Sequence, residues 1–303
     1  MNERQPAGSG FLRWGKRLLW ANMIFSFLFL YLPIVILVAF SFNDSKLGAR
    51  WVGFTTQWYV SMAQSEAILT AMENSLIVAF VSTIIATILG TMTAMAMERF
   101  RFPFQRTYDG ILYLPVIIPD IVMAVSLLAF FSLLLGGAND LLGLGGNAAL
   151  RPGLTTVIIA HVAFNISFVA IVVRTSLGEL DPGLEEAAQD LGANEWTTFR
   201  RVTLPLIMPG ILGGALLAFT LSLDDFVITF FTTGPGGTTL PIEVFGRIRR
   251  AISPEINAIS TVMLLVSMIL VIVSQLAQRR TAALSSRPTQ EAQWKNPLEY
   301  PSV

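Results

Sequence analysis

Apolar residues run in six long blocks along the chain, and polar residues gather between them. The blocks span residues 18–40, 74–97, 111–135, 154–173, 204–231 and 258–278. Each is as long as the roughly 20 residues a helix needs to cross the hydrocarbon core of a bilayer. The pattern predicts an all-α membrane protein with six transmembrane helices. The first block is longer than the apolar core of a signal peptide, and no small-residue cleavage site follows it, so it reads as an uncleaved anchor. The segments 1–17 and 279–303 flank the membrane domain at 18–278. Within them, 2–10 hold Gly, Pro, Ser and charges, and 285–303 hold three prolines and no apolar period, so the tails read as disordered.

Loop charge predicts the orientation. Lys and Arg cluster in the N-terminal segment (Arg4, Arg13, Lys16, Arg17), in the second loop (Arg99, Arg101, Arg106), in the fourth (Arg174, Arg200, Arg201) and in the C-terminal segment (Arg279, Arg280, Arg287, Lys295). The opposite loops carry Lys46, Arg50, Arg151, Arg247, Arg249 and Arg250. The split is 14 to 6, which puts both termini in the cytoplasm. The basic group at 247–250 conflicts with this, but it lies in a long loop, where the rule is weaker.

Composition narrows the chemistry. Hydrophobic residues make up 53% of the chain and charged residues 13%, against about 25% charged in a soluble domain. Lys plus Arg balance Asp plus Glu at 20 each, so net charge points to no partner and nothing suggests nucleic acid. There is no cysteine and a single histidine, His161. Disulfides, thiol chemistry and multi-histidine metal sites are excluded. An intramembrane enzyme would lack a nucleophile–base pair. Gly10 to Lys16 begins like a phosphate-binding loop, but Arg17 stands where Ser or Thr would hold magnesium, and an apolar span follows. If the protein uses ATP, another chain binds it.

The acids inside the spans are the candidate binding groups. A charge at the centre of a membrane helix costs roughly 2.5–3.5 kcal/mol, and such residues normally face a water-filled path. Asp120 lies in the third block after Pro115 and Pro119, which disturb the helix and open room for a polar site. Asp224 and Asp225 lie in the fifth, about 100° apart if the helix is continuous. The blocks hold no Lys or Arg. Acids without basic partners suit a cation, and aromatic faces can add cation–π attraction; Trp51, Trp58, Tyr59 and Tyr113 are candidates. Alternatives stay open. Asp120 can cap the helix that follows, Asp224 or Asp225 can hydrogen-bond a neighbouring helix, and the pair His161 and Asn165 suits interhelical hydrogen bonding. Gly210, Gly214 and Ala218 form a small-residue stripe for close helix contact.

The fourth loop is the most informative. Asp181-Pro182 can start a helix, with the acid as cap and proline in the first turn. Leu184, Ala187, Ala188 and Leu191 recur on one face. Gly192 breaks that helix and lets a second, at 195–202, leave at an angle. Pro205 marks the return into the bilayer. Glu186-Ala187-Ala188, Gly192, and Val202-x-Leu204-Pro205 stand at the spacing of the Glu-Ala-Ala loop of ATP-binding-cassette importer permeases, with Val for the usual Ile. The chain resembles that family, and in particular the second permease subunit of spermidine/putrescine importers. Further matches are Ser41-Phe42-Asn43-Asp44-Ser45, the run from Trp51 to Tyr59, Pro119-Asp120-Ile121-Val122, Phe219 to Asp225, Gly234-Pro235, Leu240-Pro241 and Ser253 to Ala258.

The resemblance implies a type I importer permease fold in a bacterial plasma (inner) membrane. It implies a coupling helix within about 181–205, where Glu186, Ala187, Ala188, Gly192, Leu204 and Pro205 engage an ATPase. It implies a complex with a second permease subunit as heterodimer, two ATPase subunits and an extracytoplasmic polyamine-binding protein, all at the lipid membrane. This chain would be no enzyme and bind no cofactor; ATP and magnesium would sit on the ATPase. The expected substrate path holds Asp120, Asp224, Asp225, Trp51 and Tyr113, with Asp224 ranked above Asp225. Another small substrate, such as iron, a phosphonate or an amino-acid-like solute, is the alternative. A passive cation channel is the remote one, since a channel needs no docking loop for an ATPase.

Overall fold

A computed structural model describes residues 9–45, 50–181, 183–250 and 254–285. Lys46, Pro182, Ser253 and, of the expected tails at 1–17 and 279–303, residues 1–8 and 286–303 lie outside these residues. Twelve α-helices follow one another among the described residues: α1 (Ser9–Phe40), α2 (Gln57–Gln64), α3 (Glu66–Arg99), α4 (Gln105–Ile117), α5 (Asp120–Leu142), α6 (Leu154–Gly178), α7 (Gly183–Asp190), α8 (Glu195–Thr198), α9 (Leu204–Asp224), α10 (Val227–Thr232), α11 (Leu240–Arg250) and α12 (Pro254–Ser285). Six of the described helical stretches are long and apolar enough to cross a membrane: Trp14–Phe40, Glu66–Arg99, Asp120–Leu142, Leu154–Gly178, Glu195–Asp224 and Pro254–Val273.

Two of the expected spans are broken. The third block is not one helix over 111–135: α4 ends at Ile117, and Ile118 and Pro119 are extended (ψ 133° and 135°) before α5 starts at Asp120. Proline forces this, because the residue before it is pushed out of the helical region. The fifth block ends at Asp224, where Asp225 turns extended (φ −66°, ψ 128°) and α10 restarts at Val227. Asp224 and Asp225 therefore do not lie on one continuous helix. The outer helices also run further than expected. α1 already includes Gly10 to Lys16, which excludes a phosphate loop there, and α12 continues past residue 278 to Ser285. Arg174 falls inside α6 rather than beyond it, where its guanidinium meets Asp109 at 2.6 Å and Glu98 at 3.4 Å.

The chain folds as two units. The first comprises residues up to Leu69 together with Glu243–Leu265. Its hub is Asn43, almost wholly buried. The Asn43 side chain donates to the Arg50 carbonyl (2.8 Å) and accepts from the Val52 N–H (2.9 Å), while its carbonyl accepts from Trp58 Nε1 (2.8 Å). Tyr59 pairs with Ser41 (2.6 Å), Phe42 stacks on Phe54, and Trp51 packs edge-on against Phe40. The two motifs at 41–45 and 51–59 are thus halves of one knot, closed by a single antiparallel bridge between Asn43 and Phe54. Elsewhere in this unit Arg247 binds Glu243, Glu255 and Ser65 at 2.8, 2.8 and 3.2 Å.

The second unit comprises Thr70–Ile242 and the chain from Val266 onward. α6 is its centre and packs along α9, with α4 and α10 also against it. Val169, Ala170, Val173 and Leu177 of α6 are buried with Ile207 and Ala218 of α9. The small-residue stripe makes this approach possible: Gly210, Gly214 and Ala218 are all buried, and a Cβ on Gly214 would stand 3.2 Å from the Val169 Cα. Gly90 of α3 serves the same purpose unannounced by any repeat. A Cβ there would meet Val169 at 2.8 Å and the Ile166 carbonyl at 2.9 Å. Polar pairs cross the same region. Asn165 donates to Ser222 (2.7 Å), and Ser222 lies 3.1 Å from Ser82.

Candidate functional site

The second unit offers two arrangements with functional potential, and α9 carries one at each of its ends. At its C-terminal end a cleft of about 440 Å³ opens between α4, α5, α6, α9 and α10. Asp120, Asp224 and Asp225 all line it, beside Phe164, Phe168 and Phe226, and no Lys or Arg is among the lining residues. The two helix breaks place the acids here. Asp120 opens α5, where the positive end of the helix dipole favours its charge; Pro119 holds the cap position, so Asp120 is not the helix cap that the sequence also allowed. Asp224 closes α9 and accepts a 3.3 Å hydrogen bond from Ser267.

Asp225 is bound differently. Its carboxylate accepts from the N–H groups of Ile228 (3.3 Å) and Thr229 (2.8 Å) and from the Thr229 hydroxyl (2.8 Å). It caps α10 and keeps the chain out of helix at the break. His161 is fully buried on α6, with Nε2 2.9 Å from the Thr229 hydroxyl and 3.4 Å from Asp225. The interhelical role expected of His161 and Asn165 is therefore what the structure shows. Tyr113, half-exposed on α4, is not among the residues lining the cleft. Trp51, Trp58 and Tyr59 belong to the Asn43 knot of the first unit. The aromatic faces at the acids are instead phenylalanines, and nothing in their spacing along the sequence separates a cleft wall from core.

At the other end, α7 and α8 form the angled pair read from the sequence. Asp181 caps the first turn by accepting from the Gly183 N–H (2.9 Å). Gly192 takes φ +87°, a left-handed value that suits glycine, and the Ala193 N–H closes back onto the Ala188 carbonyl (3.0 Å). Asn194 caps α8 through the Thr197 N–H (2.8 Å). α8 stops short of residue 202, because the chain widens into a π-turn, Phe199–Thr203, that runs straight into α9. Pro205 sits just beyond this turn. Its missing N–H and its ring conflict with a regular α-helical turn, and the wider turn relieves both.

Glu186, Ala187, Leu184 and Leu191 are exposed, Ala188 and Leu204 are half-buried, and α7 buries no residue. The eight-residue α7 therefore leaves an apolar face exposed. Neighbouring Glu185 points the other way. It binds the Arg99 guanidinium and the Thr203 hydroxyl, and Arg99 also reaches Thr203 at 3.2 Å. From sequence, Arg99 had signalled only a loop charge and Glu185 nothing at all.

Known proteins resemble this chain closely. Residues 86–283 match the family described as binding-protein-dependent transport system inner membrane component. The spermidine/putrescine transport system permease protein PotC of Escherichia coli (strain K12) is 38% identical over 265 residues, 88% of this chain and 95% of that protein. The putrescine transport system permease protein PotI of the same strain is 42% identical over 246 residues, 80% and 84% of the respective chains. Among solved structures, a bacterial ABC transporter involved in import of the acidic polysaccharide alginate superposes with a TM-score of 0.71 at 23% identity, covering 88% of this chain and 96% of that one. That likeness shows the type I permease fold. The chain is a multi-pass inner-membrane protein and belongs to the binding-protein-dependent transport system inner membrane components, the permeases of ATP-binding-cassette importers.

Proposed function

We propose that this chain forms half of the translocation path of a polyamine importer, with putrescine or spermidine as the cargo. The observation that carries the proposal is the cleft at the end of α9, where three carboxylates and three phenylalanines meet without a basic residue. Polyamines are flexible cations whose ammonium groups are separated by methylene runs. Carboxylates hold the ammonium ends by charge-assisted hydrogen bonds, and aromatic faces hold both the charge and the methylenes. Since Asp225 is committed to α10, Asp120 and Asp224 are the acids offered to the cargo. The names of the two relatives support the same cargo class.

In this reading both termini are cytoplasmic, and α7 with α8 is the coupling segment. Glu186, Ala187, Ala188 and Gly192 meet an ATPase subunit there, and Leu204 and Pro205 carry its movement into α9. A second permease completes the path, two ATPase subunits bind ATP and magnesium, and an extracytoplasmic binding protein delivers the polyamine. This chain performs no chemistry. The test is uptake of labelled putrescine and spermidine by cells without polyamine importers, supplied with this chain and its partner subunits. Saturable, ATP-dependent uptake that collapses in an Asp120→Asn, Asp224→Asn double variant is the expected result. Wild-type uptake by the double variant removes the cation path. Failure of the unmodified complex to import either polyamine removes the cargo assignment.

A further inference from the structure

We infer that Glu185 is a positioning residue that transmits movement of α7 to α9, acting through Thr203 and braced by Arg99. This rests on the coupling role proposed for α7 and adds the route by which a force on that helix enters the membrane domain.

Isolated helices shorter than about 12 residues are marginal in water. α7 has eight residues and buries none of them. Its ends are held locally, by Asp181 at the start and by the Gly192 turn at the finish. Among the described residues, Glu185 is the α7 side chain that hydrogen-bonds another helix or turn. That bond goes to Thr203, a fully buried residue and the last of the π-turn, directly before α9. α9 then runs 21 residues to Asp224 at the acid cleft. A carboxylate between a guanidinium and a buried hydroxyl resists both pulling and pushing, because its charge-assisted hydrogen bonds are stronger than neutral ones. The π-turn is the compliant element. It can tighten or relax by one hydrogen-bond register where a regular helix would have to break. Arg99, in the last turn of α3, fixes the carboxylate against the membrane domain.

The experiment uses the complete complex in proteoliposomes and reads the number of polyamine molecules imported per ATP hydrolysed, normalised to assembled complex. In Glu185→Gln, which keeps the shape and removes the charge, and in Thr203→Val, which removes only the hydroxyl, the ratio falls by about tenfold, the scale of a charged hydrogen bond. The exchange Arg99→Glu, Glu185→Arg recovers most of the loss. An unchanged ratio in both single variants overturns the inference. So does a loss confined to the amount of complex, which marks Glu185 as structural only, and so does a failure of the exchange to recover the ratio. Failure of the underlying coupling reading is a separate result, because the unmodified complex would then import without hydrolysis or hydrolyse without import.

Discussion

The carboxylate of Asp225 accepts three hydrogen bonds from the first turn of α10 and lies beside His161, so its charge has work to do before any cargo arrives. Asp224, one residue earlier, has a single long contact to Ser267. Asn at 224 leaves the packing intact and removes the charge; Asn at 225 places an amide donor among donors. We expect Asp224→Asn to keep the normal amount of assembled complex and lose most polyamine uptake. Asp225→Asn should lower the amount of complex, at a cost of about 1–3 kcal/mol for a buried donor left unpaired, with near-normal uptake per complex. Quantifying complex in the membrane alongside uptake separates the two, and the reverse pattern would exchange their roles. From sequence the two acids differed only by helix rotation, and the ranking could not be argued further. The break between them follows no proline or glycine; it follows the carboxylate's capping bonds, a feature of three-dimensional placement.

Element-scale features were legible where the backbone demands a residue type. The turn at Gly192 was readable because a glycine closing one amphipathic pattern and opening another points to a left-handed cap, and φ +87° is that cap. No atom beyond its own neighbours stands within 4 Å of the position a Cβ would take. The cost of substitution is therefore one of backbone conformation alone, about 1–2 kcal/mol for an unbranched residue. Gly192→Ala should retain partial substrate-stimulated ATP hydrolysis and Gly192→Val should abolish it, with bulk at Cβ the only difference. Equal activities in the two would show that the angle between α7 and α8 is unimportant. Gly90 was not legible, because a lone glycine in an apolar span carries no period. Its space is nonetheless full, so Gly90→Val should cost about 1–3 kcal/mol or more through overpacking against α6. A melting curve of the detergent-purified complex would register this as a lowered midpoint, and an unshifted midpoint would contradict the contact.

At the scale of the whole molecule, hydropathy alone located the six spans, since length and apolarity are what the bilayer selects. It missed both helix breaks, since a break inside an apolar run leaves hydropathy unchanged. Orientation rests on loop charge, and the structure bears on its one conflict. Arg247 is bound by Glu243 and Glu255, and the Arg249 guanidinium lies 4.7 Å over the Phe245 ring. Arg247 is thus not a free charge, and the basic weight of that loop is less than its arginine count. The proposed topology leaves the loop on the extracytoplasmic side and Arg201 on the cytoplasmic side. The chain has no cysteine, so a single introduced thiol is a unique label. Both Arg249 and Arg201 are exposed, which makes either position reachable. In intact spheroplasts a membrane-impermeant maleimide should label Arg249→Cys, while Arg201→Cys should label only after the membrane is opened. Labelling of Arg249→Cys solely after opening would invert the assignment of both termini and move α7 and α8 away from any cytoplasmic ATPase.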